Sequence, residues 1–187
     1  MTENARGREL AAVVLDVETQ HLAEEVGGWG NLASLKVSVA VTWSSREAAF
    51  RHYTEADLPA LIDELFAADL VVGFNTKRFD YAVLQPYTSR DLGRLPSLDL
   101  LDEIHRARGS WVSLADVAAA TLNARKSADG IEAVKMFRAG RLAELAEYCQ
   151  QDVALTRDLW HFARENGHLL YERRGRVERV AVQAKRP

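Results

Sequence analysis

Residues 10–17, LAAVVLDV, form a short apolar run rich in valine, and acid cuts it off, with Asp16 inside its last residues and Glu18 just beyond. A run of this length and β-branched content reads as a buried strand. Alternate residues of a strand share a face, so Asp16 and Glu18 project side by side. Their mutual repulsion raises a pKa or weakens the fold unless the strand end meets solvent or the two charges share a partner. A hard divalent cation with oxygen ligands is such a partner. Taken alone, D-x-E-T has the plainer explanation of an acidic strand end in water.

The rest of the chain supplies layers for that strand. LKVSVAVTW alternates, with Leu35, Val37, Val39 and Val41 on one face, and AAFRHYT follows through a Ser44, Ser45, Arg46 turn, so the two read as a hairpin. From Thr54, which pairs with Asp57 as a capping box, Leu58, Leu61, Ile62, Leu65 and Phe66 predict a helix to about Ala67. DLVVGF is a short buried strand, and NTKRFDYAVLQPY passes from a turn into a helix that Pro86 kinks or ends. SLDLLDEIHRARG gives a strand edge and a helix, and SLADVAAATLN a further helix with Ser113 as N-cap. GIEAVKMFRAG is a short helix stopped at Gly140. The stripe Leu142, Leu145, Ala146, Cys149, Val153, Leu159 and Phe162 predicts a long helix ending at Gly167, and HLLYERRGRVERVAVQ is a terminal hairpin around Arg174, Gly175 and Arg176. Strands, then mixed elements, then helices imply an α/β layer fold, a mixed sheet covered by helices. One domain, residues 1–187, is expected, with a core of about 10–166 and the hairpin over about 168–183.

Composition narrows the function classes. With 187 residues, 48% apolar and 27% charged, the chain is an ordinary globular sequence, and no apolar run approaches a bilayer span. MTENARGREL lacks the features of a secretory signal, so a cytoplasmic location and no membrane partner are expected. Cys149 is the single cysteine, which excludes an internal disulfide and a cysteine-based zinc cluster. A formal net charge of −3 means that any nucleic-acid contact comes from local basic groups or bound metal. Arg164, Arg173, Arg174, Arg176, Arg179, Lys185 and Arg186 outnumber Glu165, Glu172 and Glu178 at the end of the chain, as a phosphate-facing edge or a solvated one.

Two further acids stand at informative places. Asp80, in NTKRFD, follows the strand DLVVGF at a strand-to-helix junction, where it can converge on neighbouring strand ends. Helix capping by Asn75 or Thr76, with Asp80 in the first turn, is the plainer reading. Asp152 and Tyr148, in YCQQD, lie four apart and so on one face of the long helix. Their plainer readings are a solvated polar face near Arg157 and a half-buried aromatic. For the acid site to be an accident, all three plainer readings must hold at once.

In this order and on these elements, D-x-E, N-x-x-x-F-D and Y-x-x-x-D resemble the three motifs of the DEDDy-type 3'-5' exonucleases of the ribonuclease H-like (DnaQ-like) superfamily, and the chain is similar to YprB-type ribonuclease H-like domains. The histidine branch would need a histidine where Glu147 stands. The resemblance spans roughly Val13 to Leu159. It implies an α/β ribonuclease H-like fold with a central five-stranded mixed sheet flanked by helices. It also implies two Mg2+ or Mn2+ ions held by Asp16, Glu18, Asp80 and Asp152, with Asp16 bridging both, and Tyr148 orienting the attacking water. The activity implied is two-metal hydrolysis of phosphodiesters at ends of single-stranded DNA or RNA.

Candidate substrate contacts are Thr19, Trp29, Asn75 and Phe79. Trp29 either stacks on a base or anchors its glycine-rich loop, Phe79 stacks or packs, and Asn75 contacts substrate or forms a turn. Lys126, Lys135 and Arg138 are phosphate contacts or solvated surface, and Asp99 reads as structural. His21, His52, His161 and His168 lack metal-ligand spacing, and Gly27, Gly28 and Gly30 do not form a P-loop. Rival readings are a structure-selective endonuclease, or a nucleic-acid-binding or helicase-partner module with secondary catalysis. The terminal hairpin offers an edge for a homodimer or for a helicase or repair partner.

Overall fold

The computed structural model describes residues 10–109, 111–124, 130–173 and 175–184, the side chain of residue 173 excepted. The apolar run opens the chain as β1 (Ala12–Thr19), which takes the centre of a five-stranded sheet because both of its faces are apolar. β2 (Val37–Ser44) pairs antiparallel to β1, and β3 (Ala49–Tyr53) returns antiparallel to β2. On the other side, β4 (Leu70–Gly73) and β5 (Ser97–Asp99) add in parallel. The order β3-β2-β1-β4-β5 is the mixed sheet the resemblance implies.

β1 divides the core by alternation. Val13, Leu15 and Val17 face α1 (Leu58–Ala67) and α2 (Asp80–Leu84), packing with Leu61, Leu65 and Val83. Ala12 and Val14 face the opposite core, built from α3 (Leu100–Arg108), α4 (Leu114–Leu122), α5 (Gly130–Arg138) and α6 (Leu142–Asn166). Each fully buried Val or Leu contributes about 1.5–3 kcal/mol, so this alternation locks the register. A slip by one residue would drive Asp16 and Glu18 into the α1 and α2 layer.

β2 departs from the sequence expectation. Leu35, Val37, Val39 and Val41 do not share a face: Val39 and Val41 pack on the α6 side, Leu35 and Val37 on the α1 side. The cause is an irregularity in the ladder, where Glu18 pairs with Val39 but Thr19 with Val37, leaving Ser38 as an extra residue. Such a bulge reverses the alternation beyond it. All eight β2 residues are buried because the strand lies between β1 and β3 with layers on both faces.

The helices follow their sequence signals closely. Thr54 and Asp57 cap each other before α1, Ser113 Oγ accepts from the Asp116 amide at 3.1 Å, and α2 passes into a 3-10 turn at Pro86. Gly167 ends α6 in the left-handed region (φ 72°), its amide donating to Ala163. The buried stripe of α6 differs in detail. It begins at Leu145, since Leu142 heads the helix and is exposed, and it includes Tyr148, Asp152, Thr156, Trp160 and Ala163. No helix among the described residues is long and apolar enough to cross a membrane.

The terminal strands β6 (His168–Arg173) and β7 (Arg176–Ala181) form a separate two-stranded sheet. They cover helices rather than extend the main sheet. Leu169, Tyr171, Val180 and Val182 enter the α6-side core, and the Thr121 hydroxyl of α4 both donates to the Leu170 carbonyl (2.8 Å) and accepts from its amide (2.9 Å). Within the basic terminal segment, Arg164 lies over the Trp160 ring and the Arg179 carbonyl accepts from Arg108. Arg174, Lys185, Arg186 and the earlier candidate Lys126 lie outside the described residues.

Candidate metal centre

Asp16 and Glu18 continue the Ala12, Val14 face of β1 and therefore point toward α6. Asp152 occupies the buried stripe of α6, a helical position otherwise filled by Leu145, Cys149, Val153 and Trp160. It is 3% exposed, which removes the solvated-face reading, and Arg157 is instead paired with Asp158. The outcome is a triad: carboxylate oxygens of Asp16, Glu18 and Asp152 lie within 4.8 Å of one another. Two unit charges at about 4 Å repel by roughly 4 kcal/mol at an effective dielectric near 20. Packing such a triad under a helix calls for a compensating cation or a retained proton.

Asp80 reaches the same place by a different route. It begins the five-residue α2 and lines the triad's cavity, a space of about 450 Å3, but lies outside the close triad. Burial pushes its carboxyl well above the usual range, the Asp16 charge adds to this, and the backbone amides of Asp80 and Val17 oppose it. Its Oδ1 is buried with no hydrogen-bond partner among the described residues. A donor set made of carboxylate oxygens, one of them buried and unsatisfied, fits a hard divalent ion.

The turn that carries Asp80 was not legible as a device. Asn75 adopts a left-handed conformation (φ 69°), and its amide donates to Asp99 Oδ1 at 2.9 Å, while the Lys77 amide donates to Asp99 Oδ2 at 3.0 Å. The same Asp99 accepts from Leu101 (3.0 Å) and Asp102 (3.3 Å) as the N-cap of α3. One buried carboxylate thus ties the 75–77 turn to the start of α3. Burial raises its pKa, and the Lys77 and Asn75 amides pull it back. Gly73 is required by close approach, since a Cβ there would stand 1.7 Å from Thr76 Oγ1.

Tyr148, one turn before Asp152, is buried and lines the cavity rather than lying at the surface. Cys149 Sγ lies 3.3 Å from Asp16 Oδ2, and burial, with the Asp16 charge adding, holds its thiol well above its ordinary value. Thr19 lines the cavity and its hydroxyl donates to the His21 carbonyl at 3.0 Å, anchoring the turn after β1. Trp29 is 73% exposed and is no core anchor, and it stands beside Phe79 with ring centroids 6.3 Å apart. Asn75 lines an adjoining groove instead of the acidic cavity.

Residues of α5 complete the walls. Gly130, Ile131 and Val134 line the cavity, and Arg138 pairs with Glu25 from the loop on the opposite rim. Lys135 pairs with Glu132 on the surface. These contributions from α5 follow no local motif, since they depend on how α5 is laid against β1.

Comparison with solved structures places this architecture. The family B DNA polymerase from the hyperthermophilic archaeon Pyrobaculum calidifontis is similar over 87% of this chain, with a TM-score of 0.64 and 15% identity. The chain spans about a quarter of that polymerase, 25% of its length, and the likeness is one of fold. No curated protein sequence matches. The RNase_H_2 family profile, described as RNase_H superfamily, matches residues 13–163, from within β1 through nearly all of α6. With both the sheet and the acidic helix inside that match, the chain belongs to the RNase_H superfamily.

Proposed function

We propose that the chain is a 3'-to-5' exonuclease of the tyrosine branch, DEDDy, which uses two Mg2+ or Mn2+ ions to hydrolyse the terminal phosphodiester of single-stranded DNA or RNA. The observation that carries this reading is the convergence of Asp16, Glu18 and Asp152 within 4.8 Å, in a cavity that Asp80 and Tyr148 also line. The order of the three acidic motifs supports it, and the fold likeness to a DNA polymerase is in keeping with a nucleic-acid substrate.

Bound cations would supply the Lewis acidity that activates water and stabilises the leaving oxygen. The chain's own groups do the rest. Asp16, close to Glu18 and Asp152 and with its charge acting on Asp80, would help to hold both ions. Glu18 and Asp152 would hold one ion with it, and Asp80 would help to hold the other. The Tyr148 hydroxyl orients the attacking water, since a phenol is a poor general base at neutral pH. Trp29 and Phe79, which line both the acidic cavity and the adjoining groove, give the bases beside the scissile bond an aromatic wall.

The test uses 5'-labelled linear single-stranded DNA and RNA, together with circular single-stranded DNA, in Mg2+ or Mn2+. The expected result is a shortening ladder on at least one linear substrate with the circle intact, no product from Asp16→Ala, and slower shortening by Tyr148→Phe. A wild type indistinguishable from Asp16→Ala at every metal concentration overturns the catalytic reading. Cleavage of the circle would instead convert it to an endonuclease.

A further inference from the structure

Trp29 and Trp111 are 73% and 51% exposed, although they come from distant parts of the chain, and both wall a second groove of about 610 Å3. Phe79 and Leu101 contribute its apolar surface, and Asn75 and Arg78 its polar groups. The groove is continuous with the acidic cavity, since Trp29 and Phe79 line both. Arg78 is held in place: its guanidinium carbon lies 4.3 Å from the centroid of the Trp111 ring, which is stacked on His105 at 3.9 Å and 15°. Among the described residues Arg78 forms no salt bridge, so no carboxylate neutralises it.

Large exposed aromatics on a water-facing surface ask for an occupant. The combination here is specific. An exposed indole accepts the face of any unstacked base, and a guanidinium braced on a second indole meets a phosphate, a pairing that suits a flexible polyanion with planar groups along it. A duplex keeps its base faces stacked inside, so the ligand class is a single strand. We propose that this groove is the track for the strand upstream of the scissile bond, with a base packed on Trp29 and a phosphate at the Arg78 that Trp111 supports. This rests on the reading that the acidic cavity cleaves phosphodiesters. It adds that the preferred substrate is longer than a dinucleotide.

Two measurements separate the groove from the chemistry. In the first, kcat/KM is followed from dinucleotide to dodecanucleotide. It rises with length in the wild type, and Arg78→Ala and Trp111→Ala each flatten the rise, lowering the long-strand value by about 10- to 100-fold, chiefly through KM, the range expected for losing one charge-assisted phosphate contact. Trp111→Phe keeps most of the rise. In the second, anisotropy follows binding of a labelled strand protected by terminal phosphorothioates. Arg78→Ala reduces the slope of log affinity against log salt by roughly one phosphate contact. If both alanine variants melt like the wild type yet keep its length dependence and affinity, the groove is not the track. If the wild type binds strands through Arg78 but cuts none, the cleavage reading fails while the groove stands. A wild type that binds no strand overturns the groove outright.

Discussion

Asp16, Glu18 and Asp152 ride on long regular elements, an eight-residue strand and a 25-residue helix, whereas Asp80 opens a helix of five residues and depends on the turn before it. The first group is placed by periodicity: once β1 and α6 are packed, alternation and helical pitch put the three carboxylates together. The second is placed by a buried hydrogen-bonded support, through Asp99 and the close approach of Thr76 to Gly73. Regular elements spread a perturbation over many neighbours. A turn held by one carboxylate concentrates it.

The sharpest break of that comparison lies in the triad itself. Asp16→Ala is expected to remove more than about a thousand-fold of the activity while leaving the melting temperature in the absence of metal unchanged or raised, because it relieves repulsion. Thermal melts with EDTA check the second half, and a large drop there would mean that the carboxylates stabilise the fold. Next in size, Asp99→Ala is expected to lower activity and raise the half-saturating metal concentration by about 10- to 100-fold, the usual effect of losing a group that orients a ligand. Metal titration of the activity reads this. An unchanged half-saturation point would show that Asp80 does not need its tether.

Leu145→Ala, in the regular group, is expected to lower stability by about 2–5 kcal/mol through a cavity in the α6-side core, with little change in kcat well below the melting temperature. Denaturant unfolding beside kinetics checks it, and a kcat loss as large as that of Asp99→Ala would erase the contrast. The smallest effect sits farther along α6. Burial, with Arg157 and Arg164 adding, holds the His161 imidazole below its ordinary value. The folded state therefore binds this proton less well than the unfolded state. The neutral imidazole costs nothing above the unfolded value near ~6.5, and stability falls as the pH drops below it toward the folded value. His161→Gln is expected to flatten the melting temperature between roughly pH 7 and 5 without altering the activity of the folded protein.

The same contrast explains what could be read from residues alone. The triad was legible because D-x-E on a strand and Y-x-x-x-D on a helix carry their own geometry. The capping signals at Thr54, Ser113 and Gly167 were legible because each acts within a few residues. The bulge at Ser38 was hidden, since apolar residues on both sides of β2 fit either face. Asp99 could be seen as structural, yet its bonds to Asn75 and Lys77 span 24 and 22 residues and leave no local pattern. Trp111 and Arg78 meet only after α3 has turned the chain back, and the two possibilities for Trp29 were separated by its exposure in the fold.

The contact between Cys149 and Asp16 closes a stretch of 133 residues, and Asp152 lies on the same late helix. During synthesis the first three acids therefore leave the ribosome long before the fourth, while the apolar face of β1 still lacks its cover. A nascent chain halted before α6 holds Asp16, Glu18 and Asp80 without the helix that brings Asp152 beside them. Packing of α6 supplies a large part of the α6-side core and the fourth carboxylate in one step, so the acidic cluster is assembled only once the late part of the chain has folded.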